Sequence, residues 1–137
     1  MKLLYAFLAD ASNESNGKVN ALGLGLRVVN TSKLPALVPL ALVGCIEVRR
    51  SELGEHQFKV EWSAPKGPVR TIVDDTVNIT DRPDHEAKLP VEFRFNVSFP
   101  MLIAAPGRHA LRVQFGKLRL RYAVLVRQYE ADAATSN

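Results

Sequence analysis

Four basic side chains near the end of the chain form the pattern with the clearest chemical potential. The four are Arg112, Lys117, Arg119 and Arg121. Residues 95–129 contain no Asp or Glu, so no neighbour in sequence neutralises them. If the last two strands pair through a tight turn at Phe115-Gly116, Arg112 lies opposite Arg119, with Arg121 near by. Phe fits a tight two-residue turn poorly, however, and a bulged loop would shift this pairing. Like charges directly across a strand pair are destabilising. A sheet that keeps such a basic ribbon is a candidate site for phosphate groups or a partner's carboxylates.

The basic ribbon has three interpretations. A protein partner is favoured over nucleic acid, because no aromatic side chain is interleaved with the arginines to stack on bases. In the third interpretation, the ribbon is a plain solvated face whose charge is neutralised by acids from residues 47–92. Ten of the fourteen acids of the chain lie in that range.

A second cluster combines acids and a histidine in the middle of the chain. Its members are Asp74, Asp75, Asp81, Asp84, His85 and Glu86. Calcium takes six to eight oxygen ligands, and loops at one end of a β-sandwich can supply them. A calcium- or carbohydrate-binding module is therefore an alternative, with residues 81–86 as the ligand source. However, the spacing matches no EF-hand loop, and Arg82 and Lys88 lie among the acids, which favours a solvated loop.

The remaining chemistry-bearing residues predict no enzyme, no metal site and no cofactor. The three histidines and Cys45 fall in separate elements, whereas zinc ligands usually include some at short spacing. His56 and His109 lie on apolar phases of strands, which indicates positions at the edge of the core. No Gly-x-Ser-x-Gly motif is present. Gly23 and Gly25 lie inside a predicted strand, residues 18–30, so they indicate a bulge or a close approach of the backbone rather than a nucleotide-binding loop.

Alternating hydrophobicity positions these residues on strands. The stretch from Leu89 to Phe99 carries apolar residues at every odd position and mostly polar ones between, which predicts a half-buried strand. About seven or eight such strands recur along the chain, without a long amphipathic helix. The pattern predicts an all-β antiparallel sandwich, since alternating strands need a second sheet to cover their apolar faces. An eight-stranded barrel is the alternative.

Two strand segments are apolar on both faces, namely Leu40–Cys45 and Ala123–Leu125. Exposed apolar area often marks an interface. These segments therefore motivate the first functional hypothesis, a non-catalytic module that acts through protein contacts, most simply as a homo-oligomer.

Length and composition fit one domain over residues 1–129 with a fraying tail at 130–137. The 137 residues can bury a sizeable core without disulfides. The single cysteine, Cys45, favours a reducing compartment and so a cytoplasmic protein. Lys2 and the apolar run after it indicate a first strand better than a signal peptide, because the run is short and ends at Asp10. No run reaches the length of a membrane span.

Four segments of the sequence form a further pattern, namely LLYAFLADA at residues 3–11, NGKVNALG at 16–23, Leu34-Pro35, and LALV at 40–43. Through these segments the chain shows a resemblance to a family of small uncharacterised bacterial proteins. The resemblance implies a bacterial all-β domain, and it assigns no activity and no functional residues.

Overall fold

The computed structural model describes residues 1–81 and 89–130. These residues form ten strands and one short 3-10 helix, Arg50–Glu52. The strands are β1 Lys2–Ala9, β2 Ala11–Ser15, β3 Lys18–Leu22, β4 Val28–Thr31, β5 Ala36–Val48, β6 Gly54–Ser63, β7 Val69–Ile79, β8 Val91–Ile103, β9 Gly107–Phe115 and β10 Leu118–Gln128.

The strands make two layers and a separate hairpin. One sheet has the order β1-β5-β8, the other has the order β4-β10-β9-β6-β7, and β2 pairs with β3. All pairs are antiparallel except β4 with β10, which is parallel. Because neither sheet closes on itself, the sandwich prediction is confirmed and the barrel alternative is not supported.

The core lies between the two sheets and is rich in aromatic rings. Phe93 of β8 stacks on Phe115 of β9 with ring centroids 4.8 Å apart. Phe95 packs on Phe58 of β6 at 5.2 Å, and its ring lies over Gly44 of β5. A methyl group at Gly44 would overlap that ring. The predicted apolar phase of the Leu89–Phe99 stretch is thus the inner face of β8, although Leu89 itself precedes the strand and is exposed.

A buried polar pair joins β6 to β9. The indole N–H of Trp62 donates to Nδ1 of His109 at 3.0 Å, and Nε2 of His109 lies 2.9 Å from the carbonyl oxygen of Ala105. Since Nδ1 accepts, the proton resides on Nε2, which donates to that carbonyl. His109 is 1% exposed, so the prediction that it lies on an apolar phase is confirmed.

The segment from Lys18 to Asn30 departs from the prediction of one strand. It forms β3 and β4, and the break contains Gly23 and Gly25 with φ of 68° and 86°. These glycines therefore end a strand instead of bulging one, because that backbone conformation is strained for other residues. A side chain at Gly23 would also overlap Asp10. The prediction that both glycines lie inside a strand was wrong.

Candidate functional site

The basic ribbon lies on the outer face of the five-stranded sheet, in a register that differs from the predicted one. β9 and β10 join through Gly116-Lys117, so Phe115 pairs with Leu118 and Arg112 lies directly opposite Arg121. The predicted pairing of Arg112 with Arg119 was wrong. Phe115 stays in the strand because its ring is core, 1% exposed and stacked on Phe93. The turn therefore begins one residue later.

The side chains of Arg112, Arg119 and Arg121 point to this outer face of the sheet and are exposed. Arg119 lies opposite Gln114, and Arg121 lies opposite Arg112. Residues two apart on a strand are about 6.6 Å apart, and opposed residues are about 5 Å apart. The three guanidinium groups therefore project from a small triangular area. Guanidinium groups in such a cluster suit carboxylate or phosphate oxygens, which they bind in a bidentate manner.

A shallow cleft of about 360 Å³ lies over these arginines. Its lining residues are Lys59, Glu61, Arg112, Val113, Gln114, Arg119, Leu120 and Arg121. Lys117, the fourth residue of the predicted ribbon, lies in the turn and is not among them. Lys59, Glu61 and Gln114 were missed. Their outward phase is readable from the alternation of β6 and β9, but their position beside the arginines depends on β6 pairing with β9.

The charges in the cleft are unbalanced. Lys59, Arg112, Arg119 and Arg121 contribute four positive charges and Glu61 one negative charge, which leaves +3 (4 − 1). Glu61 is the register partner of Arg112, yet its carboxylate oxygen pairs with Nζ of Lys59 at 3.7 Å. No ion pair of the three arginines occurs among residues 1–81 and 89–130. The neutralisation by acids that the sequence suggested is therefore partial.

The outer face of the three-stranded sheet explains the apolar segment Leu40–Cys45. Ala41, Val43 and Cys45 point away from the core but are at most 6% exposed. The β2-β3 hairpin contacts both β5 and β8, and the hydroxyl of Ser12 donates to the side-chain carbonyl of Asn96. This segment of β5 is therefore covered by the chain itself. It does not supply the free surface that the sequence suggested.

Cys45 lies beside a charged pair on β8. Burial raises the pKa of its thiol, and the nearby Glu92 carboxylate raises it further. The guanidinium of Arg94 donates to Glu92 at 3.1 Å, and this pairing raises the pKa of Arg94. Because the thiol is buried and its pKa is raised, Cys45 is a poor nucleophile. We therefore interpret it as a packed side chain.

Exposed apolar residues are found elsewhere on this sheet, beyond the hairpin. Leu37 of β5 lies directly opposite Leu102 of β8, and both are exposed, by 67% and 45%. Pro39 lies opposite Pro100 in the adjacent row, and both prolines are also exposed. At the second predicted segment, Ala123 and Leu125 are half-buried, and the neighbouring Val28 of β4 is exposed.

The acidic cluster is divided by the fold. Asp74 and Asp75 lie on opposite phases of β7, and Asp81 contacts Arg50. Asp84, His85 and Glu86 lie outside the described residues, as does the predicted tail from residue 131 onward. In the described part of the chain, no group of three or more His, Cys, Asp or Glu side chains is arranged to hold a metal ion. The same part has no helix of the length and apolar content that a membrane crossing requires.

Comparison with known proteins gives a family without an activity. No curated protein matches the chain. A family model described as a family of unknown function, DUF6941, matches residues 4–126. This match spans both sheets and the hairpin, from β1 almost to the end of β10. The chain belongs to the DUF6941 family.

Proposed function

We propose that this protein is a non-catalytic binding module whose basic face takes the carboxylates of an acidic protein partner. The observation that carries the proposal is the direct opposition of Arg112 and Arg121, next to Arg119. Opposed like charges cost a sheet a few tenths of a kcal/mol. An acidic ligand that sits between the two guanidinium groups converts that cost into charge-assisted hydrogen bonds.

The shape and chemistry of the face favour a protein over nucleic acid. The cleft has no aromatic lining residue on which a base can stack. Gln114 and Glu61 lie among the cations and add hydrogen-bonding groups that suit a mixed polar surface. Nucleic acid is the competing ligand, since phosphates satisfy the same guanidinium groups.

Retention on immobilised poly-glutamate tests the proposal. At low salt we expect the protein to be retained, and we expect Arg119→Gln with Arg121→Gln to weaken retention about tenfold or more. The matched control is Arg108→Gln with Arg127→Gln, which removes two exposed charges from the same strands outside the cleft. Equal losses in the two double variants would show that net charge alone acts, and the proposal would fail. Stronger salt-resistant retention on single-stranded DNA would favour nucleic acid instead.

Self-association is the second candidate, supported by the exposed Leu37–Leu102 pair. The patch formed by Leu37, Pro39, Pro100 and Leu102 is uncharged and continuous across β5 and β8. Contiguous exposed apolar area is typical of interfaces between copies. We expect light scattering at increasing protein concentration to show a dimer that Leu37→Lys and Leu102→Lys dissociate. A monomer at every concentration contradicts this candidate.

A further inference from the structure

A second cleft, of about 780 Å³, runs along β8. It is lined by nine consecutive residues, 89–97, together with Glu14, Gly17, Val19 and Phe58. Successive side chains of a strand point to opposite faces, so a cleft on one face would touch every second residue. Contact with all nine places the cleft along the edge of the strand. There the backbone N–H and C=O groups that do not face β5 point outward.

β8 is the last strand of its sheet in the described part of the chain, whereas the opposite sheet continues further. The order β1-β5-β8 faces β4-β10-β9-β6-β7, so the second layer has two more strands. Phe58 of β6 forms part of the cleft wall, and β7 lies beyond β6. The cleft is therefore the place that a fourth strand of the smaller sheet would occupy.

The walls of the cleft suit a strand with alternating side chains. Phe93 and Val97 lie on the inner phase of β8 and are only half-buried, in contrast to the buried Phe95 between them. Beyond the residues that line the cleft, Val73 and Val77 on the inner face of β7 are half-buried as well. An added strand with apolar residues on its inward phase would cover these side chains.

One carboxylate adds charge specificity. Asp75 is the register partner of Phe58, so both side chains lie on the inner phase of their strands. Phe58 is 5% exposed, but Asp75 is exposed, which shows that the inner face of β7 is uncovered at this point. Among the described residues Asp75 has no ion pair. A cationic side chain of an added strand would reach it across the gap between the layers.

We propose that the edge of β8 binds one extended segment of a partner protein by strand addition. The segment has about nine residues, apolar side chains at alternate positions, and a Lys or Arg on that same phase that pairs with Asp75. Main-chain hydrogen bonds to β8 supply affinity, and the alternate side chains supply specificity. A single segment fits better than the β8 edge of a second copy. If the β8 strands of two copies paired edge to edge, the two five-stranded sheets would collide, because each of them extends beyond β8 into the space that faces the other copy's β8.

This site is separate from the basic face. The two clefts share no lining residue, and they lie on opposite faces of β6, since Lys59 and Glu61 point outward and Phe58 points into the core. The two proposals can therefore fail independently.

A synthetic peptide tests the inference. The probe has nine residues with valine at alternate positions, lysine at the central position of the valine phase, and serine or threonine between. Backbone amide shifts of the full-length protein, followed by NMR during titration, are expected to change at residues 91–97, and amide exchange there is expected to slow. A control peptide of the same composition without the alternation should bind at least tenfold more weakly. Equal binding of the two peptides, or shifts confined to other strands, overturns the proposal.

Neighbouring acids of β7 provide the matched variants. Asp75→Lys is expected to weaken peptide binding about tenfold or more, because Asp75 lies on the inner face of β7, on the side where the added strand would lie. Asp74→Lys makes the same charge change on the opposite face and should alter binding less than twofold. Both residues are exposed, so both variants should fold. Equal losses in the two variants overturn the assignment of Asp75. Amide exchange at residues 91–97 that becomes slower as the protein concentration increases, without any peptide, would indicate a second copy in the cleft. That result also overturns the proposal.

Discussion

The outer faces of the two sheets differ in character where β5 and the β9-β10 pair lie, although both sheets consist mainly of antiparallel strands. On the five-stranded sheet the outer phase of β9 and β10 carries exposed arginines. On the three-stranded sheet the outer phase of β5 carries Ala41, Val43 and Cys45, all buried. The difference arises from the β2-β3 hairpin, which contacts β5 and β8. The covered positions of β5 accept apolar residues, whereas the uncovered positions around the arginines are polar.

The largest expected effect comes from a charge placed on the covered face. Val43→Asp puts a carboxylate at a 6% exposed position without a cationic neighbour in register, since Val43 lies between Phe7 and Asn96. Burial of an unpaired charge should lower the free energy of unfolding by at least about 3 kcal/mol. Urea denaturation measures this loss.

The matched control for that substitution is on the uncovered face. Arg119→Asp introduces the same carboxylate at an exposed position, and it should change the free energy of unfolding by no more than about 0.5 kcal/mol. If Val43→Asp cost as little as Arg119→Asp, the hairpin would not cover β5 in solution.

A smaller effect of opposite sign is expected at the opposed arginines. Arg121→Glu replaces a like-charge pair by an opposite-charge pair with Arg112, which should stabilise the fold by about 0.2–1 kcal/mol. The gain should shrink at 1 M salt, because exposed charges are screened. The same variant should lose retention on poly-glutamate. Destabilisation by Arg121→Glu would show that the arginines are not in register, and the basis of the proposed function would be lost.

The smallest effect concerns the titration of Cys45. Burial raises the pKa of its thiol in the folded state. Between the ordinary thiol pKa and the raised one, the unfolded chain loses the proton while the folded chain keeps it. Stability is therefore complete below the ordinary value and declines as the pH rises through this window.

The comparison protein for this titration is Cys45→Ala, in which the thiol is absent. The difference in free energy of unfolding between the two proteins should narrow as the pH rises above about 8.5, the ordinary thiol value. A difference that does not vary with pH would mean that the thiol is solvated, and that the outer face of β5 is open.

Local patterns predicted much of the fold, because alternation reports which side chains face the core. The alternation of apolar and polar residues with a period of two predicted the all-β class, the inner face of β8 and the burial of His109. Strand ends were less accurate. The break at Gly23–Gly25 depends on the separate pairing of β4 with the distant β10, which no local pattern encodes.

The site was predicted in part. The alternation along β9 and β10 predicted that Arg112, Arg119 and Arg121 point outward, and all three are exposed on one face. Lys59, Glu61 and Gln114 join them because β6 and β9 are neighbours, and the choice of neighbours is decided by the packing of the whole sandwich.

By itself the sequence determined the phase of each strand, since that depends only on the alternation of residue types along the backbone. It also determined that the last third of the chain is basic. The tertiary structure alone decided the register of Arg112 with Arg121, through the burial of Phe115. It also decided that a hairpin covers one outer face while the edge of β8 borders a cleft. Register, coverage and edges depend on contacts between residues far apart in the chain, and no local pattern contains them.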